Sequence, residues 1–140
     1  MEIINTEWGL NSYLELKSKR VFTDNEYRKI LKPDVMLLQD FPNNEKFNQG
    51  KFWSPAEDHS GKIITDCYKM KWHQIGNGRI QLRLTVMIRG NQSFLCEAYV
   101  KENEKTEKRK LARLKTYAEL IRRGQYTVCG RWGNQHDSTS

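Results

Sequence analysis

The chain has 140 residues, with 24 lysines and arginines against 17 aspartates and glutamates, which gives a formal net charge of +7. This length suits a single core, so we predict one α+β domain over residues 1–133 and a disordered polar tail over residues 134–140. No run approaches the roughly 20 apolar residues of a membrane span, and we expect no export signal. Because the cysteines number three, we expect free thiols, no disulfide and a cytoplasmic protein.

The positive charge is concentrated in the second half of the chain. Residues 1–50 carry 7 basic and 8 acidic side chains, whereas residues 62–123 carry 15 basic and 6 acidic ones. Localised positive charge favours a polyanionic partner such as DNA or RNA. Many basic domains nevertheless use such charge only for solubility, and that alternative stays open.

Two helices are predicted near the start of the chain. The first covers about residues 6–20, although its apolar residues do not form one clean stripe. The second begins at a capping box formed by Thr23 and Glu26. Because the residue before a proline disfavours helical backbone, Lys32-Pro33 should end it.

Strand-like and polar segments follow. Residues 34–41 contain the continuous apolar run Val35 to Leu38, which is typical of a strand buried on both faces. A polar loop, a short strand around Phe52-Trp53 and a second polar loop lead to residue 62.

Three successive strands of a β-meander carry apolar residues at even positions. Aligning even with even positions requires three-residue loops, Gly76-Asn77-Gly78 and Gly90-Asn91-Gln92. This register pairs Trp72 with Leu82 and Ile75 with Arg79. The even residues are Ile64, Tyr68, Met70 and Trp72, then Ile80, Leu82, Leu84, Val86 and Ile88, and finally Phe94, Cys96, Ala98 and Val100.

A long amphipathic helix is predicted over residues 104–123, with Asn103 as N-cap and Gly124 as C-cap. Its apolar wedge should pack on the even face of the sheet. A last strand over residues 126–132 would bring the sheet to five or six strands. We therefore expect one shared core that contains Trp72, Leu82, Leu84, Val86, Leu114 and Ile121.

The same register collects polar side chains at odd positions of the sheet. Lys71, Arg83 and Tyr99 form one cross-strand row, and the neighbouring rows are Lys69, Thr85 and Glu97, then His73, Gln81 and Lys101. Lys71 opposite Arg83 is a like-charge pair, which an anion between them would relieve. Cations beside an aromatic ring suit single-stranded nucleic acid. The alternative is an ordinary solvated face, partly covered by the first fifty residues where Met87 and Leu95 lie.

A second basic surface is predicted on the helix, where lysine or arginine recurs every seven residues. Phosphate contact is one use for such a row, and a solvated helix face is the alternative. Together the two surfaces define the predicted nucleic-acid-binding residues, which are Lys69, Lys71, Arg79, Arg83, Tyr99, Lys101, Lys108, Lys115 and Arg122.

Two other functions compete with nucleic-acid binding. One is a protein-binding inhibitor or adaptor, of the type encoded by phages and mobile elements, that acts on an acidic partner surface. The other is a small metal-dependent nuclease using Asp58, His59 and Glu97. Cysteine and histidine lack zinc-ligand spacing, and phosphate-binding glycine motifs are absent. We therefore expect no metal and no cofactor, and we lean against an enzyme.

Overall fold

The computed structural model describes residues 1–132, with the backbone alone described for Trp132. The six strands are β1 (Glu2–Thr6), β2 (Trp53–Glu57), β3 (Ile63–Gln74), β4 (Ile80–Arg89), β5 (Gln92–Val100) and β6 (Val128–Trp132). They form one sheet in the order β2-β3-β4-β5-β1-β6, antiparallel except between β1 and β5. The predicted α+β class, with its antiparallel meander, is confirmed. The predicted tail lies outside the described residues.

Helices flank the sheet on both faces. The first helix, Glu7–Ser18, is capped by Thr6, whose side chain accepts a hydrogen bond from Gly9 N. The C-terminal helix, Glu104–Arg122, is capped in the same way by Asn103. Between them lies the middle helical segment, which consists of Asp24–Glu26 (α), Tyr27–Leu31 (π), Lys32–Met36 (α) and Leu37–Asp40 (3-10), followed by a separate 3-10 turn, Glu45–Asn48.

Strand β1 was not predicted from the sequence. It is inserted between β5 and β6, parallel to the first and antiparallel to the second. Its two isoleucines point to opposite faces, and both Ile3 and Ile4 are buried. A strand covered on both faces has no polar alternation, and five residues are too few to reveal it otherwise.

The middle helical segment corrects two predictions. The helix does not end at Lys32-Pro33, and residues 34–41 are helical and not a strand. The wide π-helical turn lies directly before Pro33, which occupies the first turn of the next α-helical piece, where a proline needs no backbone N–H. The buried run from Val35 is apolar because it faces the core, and short apolar runs do not distinguish helix from strand.

The meander register is correct near the predicted site and shifts at both ends. Trp72 pairs with Leu82 as predicted, but Ile75 bridges Ile80 instead of Arg79, so the first loop is one residue longer. In the second hairpin Arg89 pairs with Gln92, which leaves a two-residue loop. A β-bulge compensates, because Thr85 pairs with Glu97 while Val86 pairs with Leu95.

The sheet separates two cores, and this reverses the predicted side of the C-terminal helix. The even face of β3 and β4 packs on the first helix and the middle helical segment through residues such as Leu16, Phe22, Leu31, Trp72 and Leu84. The C-terminal helix packs on the other face, where Leu111, Leu114, Ala118 and Ile121 meet Cys67, Met87, Phe94 and Cys96. The expected single core containing Leu84 and Leu114 is therefore wrong.

The physical reason for this reversal is the bulge. It places Phe94 on the same face as Met87, and Cys67 adds a third apolar residue at an odd position. This face is apolar enough to bind a helix, so the odd face is not simply solvated. The C-terminal helix forms most of the cover on the face of Met87, and of the first fifty residues Ile4 and Trp8 join this cluster. Leu95, which was expected on the same face, lies in the other core.

Candidate functional site

The predicted cross-strand row is present in the sheet. Lys71 lies opposite Arg83, and Arg83 lies opposite Tyr99. The next row also forms as predicted, with Thr85 between Lys69 and Glu97. These two rows were predicted correctly because the odd positions of the three strands do share one face here. Both register shifts lie outside these rows.

The third predicted row is only partly formed. The backbone N–H of Lys101 donates to Gln81 O over 2.8 Å, so these two residues are neighbours. His73 lies beyond the last regular pair of β3 and β4. Its Nε2 is 2.6 Å from Lys51 O, which directs the ring towards the segment before β2.

Arg83 is a buried cation held by uncharged oxygens. Its side chain is 3% exposed, and Nη1 and Nη2 donate to Leu82 O and Gln81 Oε1 over 3.2 and 3.1 Å. Among residues 1–132, Nε has no hydrogen-bond acceptor, and no carboxylate lies within ion-pair distance of the guanidinium. Burial lowers the pKa of Arg83 from its ordinary value.

Lys71 adds a second cation to this position. It is half-buried, and within the described part of the chain it has no ion-pair partner. Burial lowers the pKa of Lys71, and the positive charges of Lys69 and Arg83 lower it further. The row therefore concentrates like charges in a partly desolvated place. The nearby Glu107 carboxylate offsets part of this repulsion, and a further anion would be favourable.

Tyr99 does not offer an open ring surface. The residue is 3% exposed, and its hydroxyl donates to Glu107 Oε2 over 2.9 Å. Burial raises the pKa of this phenol, and the neighbouring Glu107 carboxylate raises it further. The other oxygen of Glu107 lies 3.7 Å from Lys69 Nζ, so the C-terminal helix brings one acid to the edge of the row.

A second carboxylate joins the sheet to the C-terminal helix. Glu97 is 6% exposed, and its Oε2 accepts from Lys110 and Arg113, each over 3.0 Å. Its Oε1 has no partner within the described residues. These contacts were not predicted, because the helix was expected on the opposite face of the sheet. The sequence did contain one signal for these contacts. Buried charges are rarely left unpaired, so an acid on a strand, Glu97, indicated that the basic helix covers its face.

The other predicted site residues lie outside the row. Lys115 Nζ is 3.9 Å from Asp58 Oδ2, and Arg122 contacts Thr65 O and Glu119. Lys108 is exposed and lines a shallow open depression together with Lys105, Arg109 and His59. Arg79 is exposed in the first hairpin loop. The basic residues of the C-terminal helix therefore do not form one uniform row, because Lys115 and Arg122 contact residues of the sheet and its β2–β3 loop.

The acidic residues of the nuclease hypothesis are not gathered together. Among residues 1–132, no three side chains of histidine, cysteine, aspartate or glutamate are placed to share a metal ion. Asp58 instead holds the β2–β3 loop, where its Oδ1 accepts from Ser60 Oγ over 2.7 Å and from Lys62 N over 3.0 Å. These hydrogen bonds, that of Ser60 first, lower the pKa of Asp58 to about 2.

Comparisons of this chain with protein-family models, with curated proteins and with solved structures give no match. Within the described range, none of the helices combines the length and hydropathy needed to cross a membrane.

Proposed function

We propose that the protein binds DNA or RNA through phosphate groups, with the cationic row of Lys71 and Arg83 as the central contact. One observation carries this proposal: the two cations face each other across β3 and β4, with no carboxylate at ion-pair distance from either in residues 1–132. A buried and a half-buried cation without ion-pair partners are costly for a protein. A phosphate bound at Lys71, beside the buried Arg83, would offset that cost through a charge-assisted hydrogen bond to Lys71 and electrostatic attraction to both cations.

Further cations extend this contact along the surface. Lys101 follows directly after β5 and is exposed, and Lys108 and its neighbours line the depression at the start of the C-terminal helix. A polyanion that crosses from the row to this helix would meet basic side chains on the way. Because Tyr99 is covered, the proposal relies on phosphate contacts and not on base stacking. It therefore implies weak sequence preference.

The test is a titration of labelled single-stranded DNA, duplex DNA and RNA at about 50 mM salt, where phosphate contacts are strong. Lys71→Gln and Lys108→Gln should each weaken binding. The matched control is Lys29→Gln, which removes one exposed charge from the middle helical segment, on the opposite side of the sheet. If the protein binds none of the three nucleic acids, the proposal is wrong.

The same titration separates the rival functions. Capture of an acidic protein that is lost in the Lys71→Glu, Arg83→Glu double variant, without nucleic-acid binding, would favour the inhibitor or adaptor. Magnesium-dependent cleavage of the probe would favour the nuclease. We also propose a cytoplasmic location, which is supported by three free cysteines, Cys67, Cys96 and Cys129, because a reducing compartment keeps thiols unpaired.

A further inference from the structure

A cavity of about 210 Å³ lies between the even face of the sheet, the first helix and the middle helical segment. Its walls are aromatic and aliphatic, and they include Tyr13, Tyr27, Leu31, Trp72, Leu84 and Leu95. An apolar cavity of roughly 150 Å³ accepts one benzene molecule. This cavity therefore has room for an aromatic ring with a short chain attached, or for a medium-length alkyl chain.

The two helical walls keep the cavity open. Gly9 on the first helix is already so close to β5 that an added Cβ would lie 2.5 Å from Leu95 O, so the helix cannot move inwards to fill the space. On the other side, Tyr27 and Leu31 begin and end the π-helical turn. Turns of this kind widen a helix locally and recur at functional sites.

Few polar side chains line the cavity, and they belong to Asn5, Tyr13, Tyr27 and Lys32. Lys32 is also exposed to solvent, so its ammonium can reach the mouth of the cavity. Within the described part of the chain this ammonium has no ion-pair partner. The phenols of Tyr13 and Tyr27 are neighbours, with ring centroids 5.3 Å apart. An apolar pocket with a few convergent polar groups is the usual form of a small-molecule site.

We infer that this cavity binds a small amphiphilic monocarboxylate, whose apolar ring or chain fills the space between the helices and the sheet while its carboxylate pairs with Lys32. The site is independent of the proposed nucleic-acid contact, because the cationic row faces the C-terminal helix on the other side of the sheet. A positive charge at the mouth of an apolar cavity selects for a negatively charged head group over a neutral or positive one.

Three probes of similar shape test the charge selection: 3-phenylpropionate, propylbenzene and 3-phenylpropylamine. Binding is followed by NMR shifts of the methyl groups of Leu84 and Leu95, with Leu114 in the opposite core as the internal control. We expect saturable shifts with the carboxylate, weaker binding of propylbenzene and the weakest binding of the amine. Absence of saturable shifts with 3-phenylpropionate, or equal affinity for the carboxylate and the amine, would overturn the inference.

Two variants test whether Lys32 pairs with the carboxylate of the ligand. Lys32→Gln should weaken the binding of 3-phenylpropionate by about 1.5- to 5-fold, the range for an exposed ion pair, and leave the binding of propylbenzene unchanged. Lys29→Gln, which changes another exposed lysine of the same segment outside the cavity lining, should alter the binding of neither probe. Equal effects of the two substitutions on the carboxylate would contradict the role of Lys32. Both changes lie on the surface, so the measurement does not depend on a variant with an altered core.

Discussion

The indole Nε1 of Trp72 donates a hydrogen bond of 2.9 Å to Oδ2 of Asp34. The other carboxylate oxygen accepts from Lys46 Nζ over 2.8 Å. Asp34 is 8% exposed, so this carboxylate joins the middle helical segment to β3 within the core.

Asp34→Ala should lower the free energy of unfolding by about 1–3 kcal/mol, because the indole N–H would remain buried without an acceptor. Urea denaturation gives the value. The matched control is Lys46→Gln, whose side chain is 44% exposed, and the expected loss there is at most about 1 kcal/mol. An unchanged midpoint for Asp34→Ala would contradict the structural role of this carboxylate.

The two cores predict a pattern of additivity. Leu84→Ala and Leu114→Ala should each cost about 2–5 kcal/mol, and their double variant should lose the sum to within about 0.5 kcal/mol because the sheet lies between them. Met87 shares its cluster with Leu114, so Met87→Ala should combine with Leu114→Ala non-additively. The reverse pattern in denaturant titrations would mean that the C-terminal helix packs on the even face.

Phosphate binding predicts a specific dependence on salt. Lys71→Gln should reduce the slope of log affinity against log salt by about 0.7 on single-stranded DNA, the value for one lost phosphate contact. Tyr99→Phe removes the hydroxyl that donates to Glu107 but no positive charge, so the slope should stay at its wild-type value. A wild-type slope near zero would be incompatible with phosphate contacts.

The thiols should differ sharply in reactivity. Burial raises the pKa of Cys67 to about 12 and raises that of Cys96 as well, whereas Cys129 is exposed. Since the thiolate is the reactive form, one equivalent of thiol should react with a chromogenic disulfide reagent in the native protein at pH 8, and three after denaturation. Replacing Cys129 by serine should abolish the native reaction. Rapid native reaction in that variant would show that the sheet opens around Cys67.

The β2–β3 loop should lose stability in acid. The pKa of Asp58 is about 2 in the folded protein and 3.8 ordinarily, so the carboxylate favours folding above pH 3.8, and this contribution is lost as the pH falls towards 2. The free energy of unfolding of wild type should therefore exceed that of Asp58→Asn at pH 5, and the difference should shrink by pH 2.5. A difference that stays constant would contradict this role.

Local signals in the sequence predicted local structure well. The capping box is present, with Glu26 N donating to Thr23 Oγ1 over 3.0 Å and Thr23 N to Glu26 Oε1 over 2.9 Å. The loop glycines Gly76 and Gly78 have positive φ, as does Asn77 between them. Strand parity brought Lys71 and Arg83 together. These features depend on residues close in sequence or on a period of two, and both are readable in one chain.

Long-range packing was not readable in the same way. The bulge lies within the apolar stretch Phe94 to Cys96. Because these residues are all apolar, the hydrophobic pattern does not distinguish one strand register from another. Strand β1 was also missed, and the first helix follows it directly and packs beside β5. The unpredicted bulge and the unpredicted strand together account for the wrong side of the C-terminal helix, and therefore for the unexpected burial of Tyr99.

The position of β1 also constrains the order in which the sheet is built. Glu2 pairs with Gln92 and Ile3 with Trp132, so β1 pairs with two strands that follow it in the chain by about ninety residues or more. Until β5 and β6 have been synthesised, β1 has no strand to pair with, and the apolar side chains of Ile3 and Ile4 stay exposed. Pairing over such separations slows folding. We therefore expect the meander, whose strands are close in sequence, to form before β1 joins the sheet.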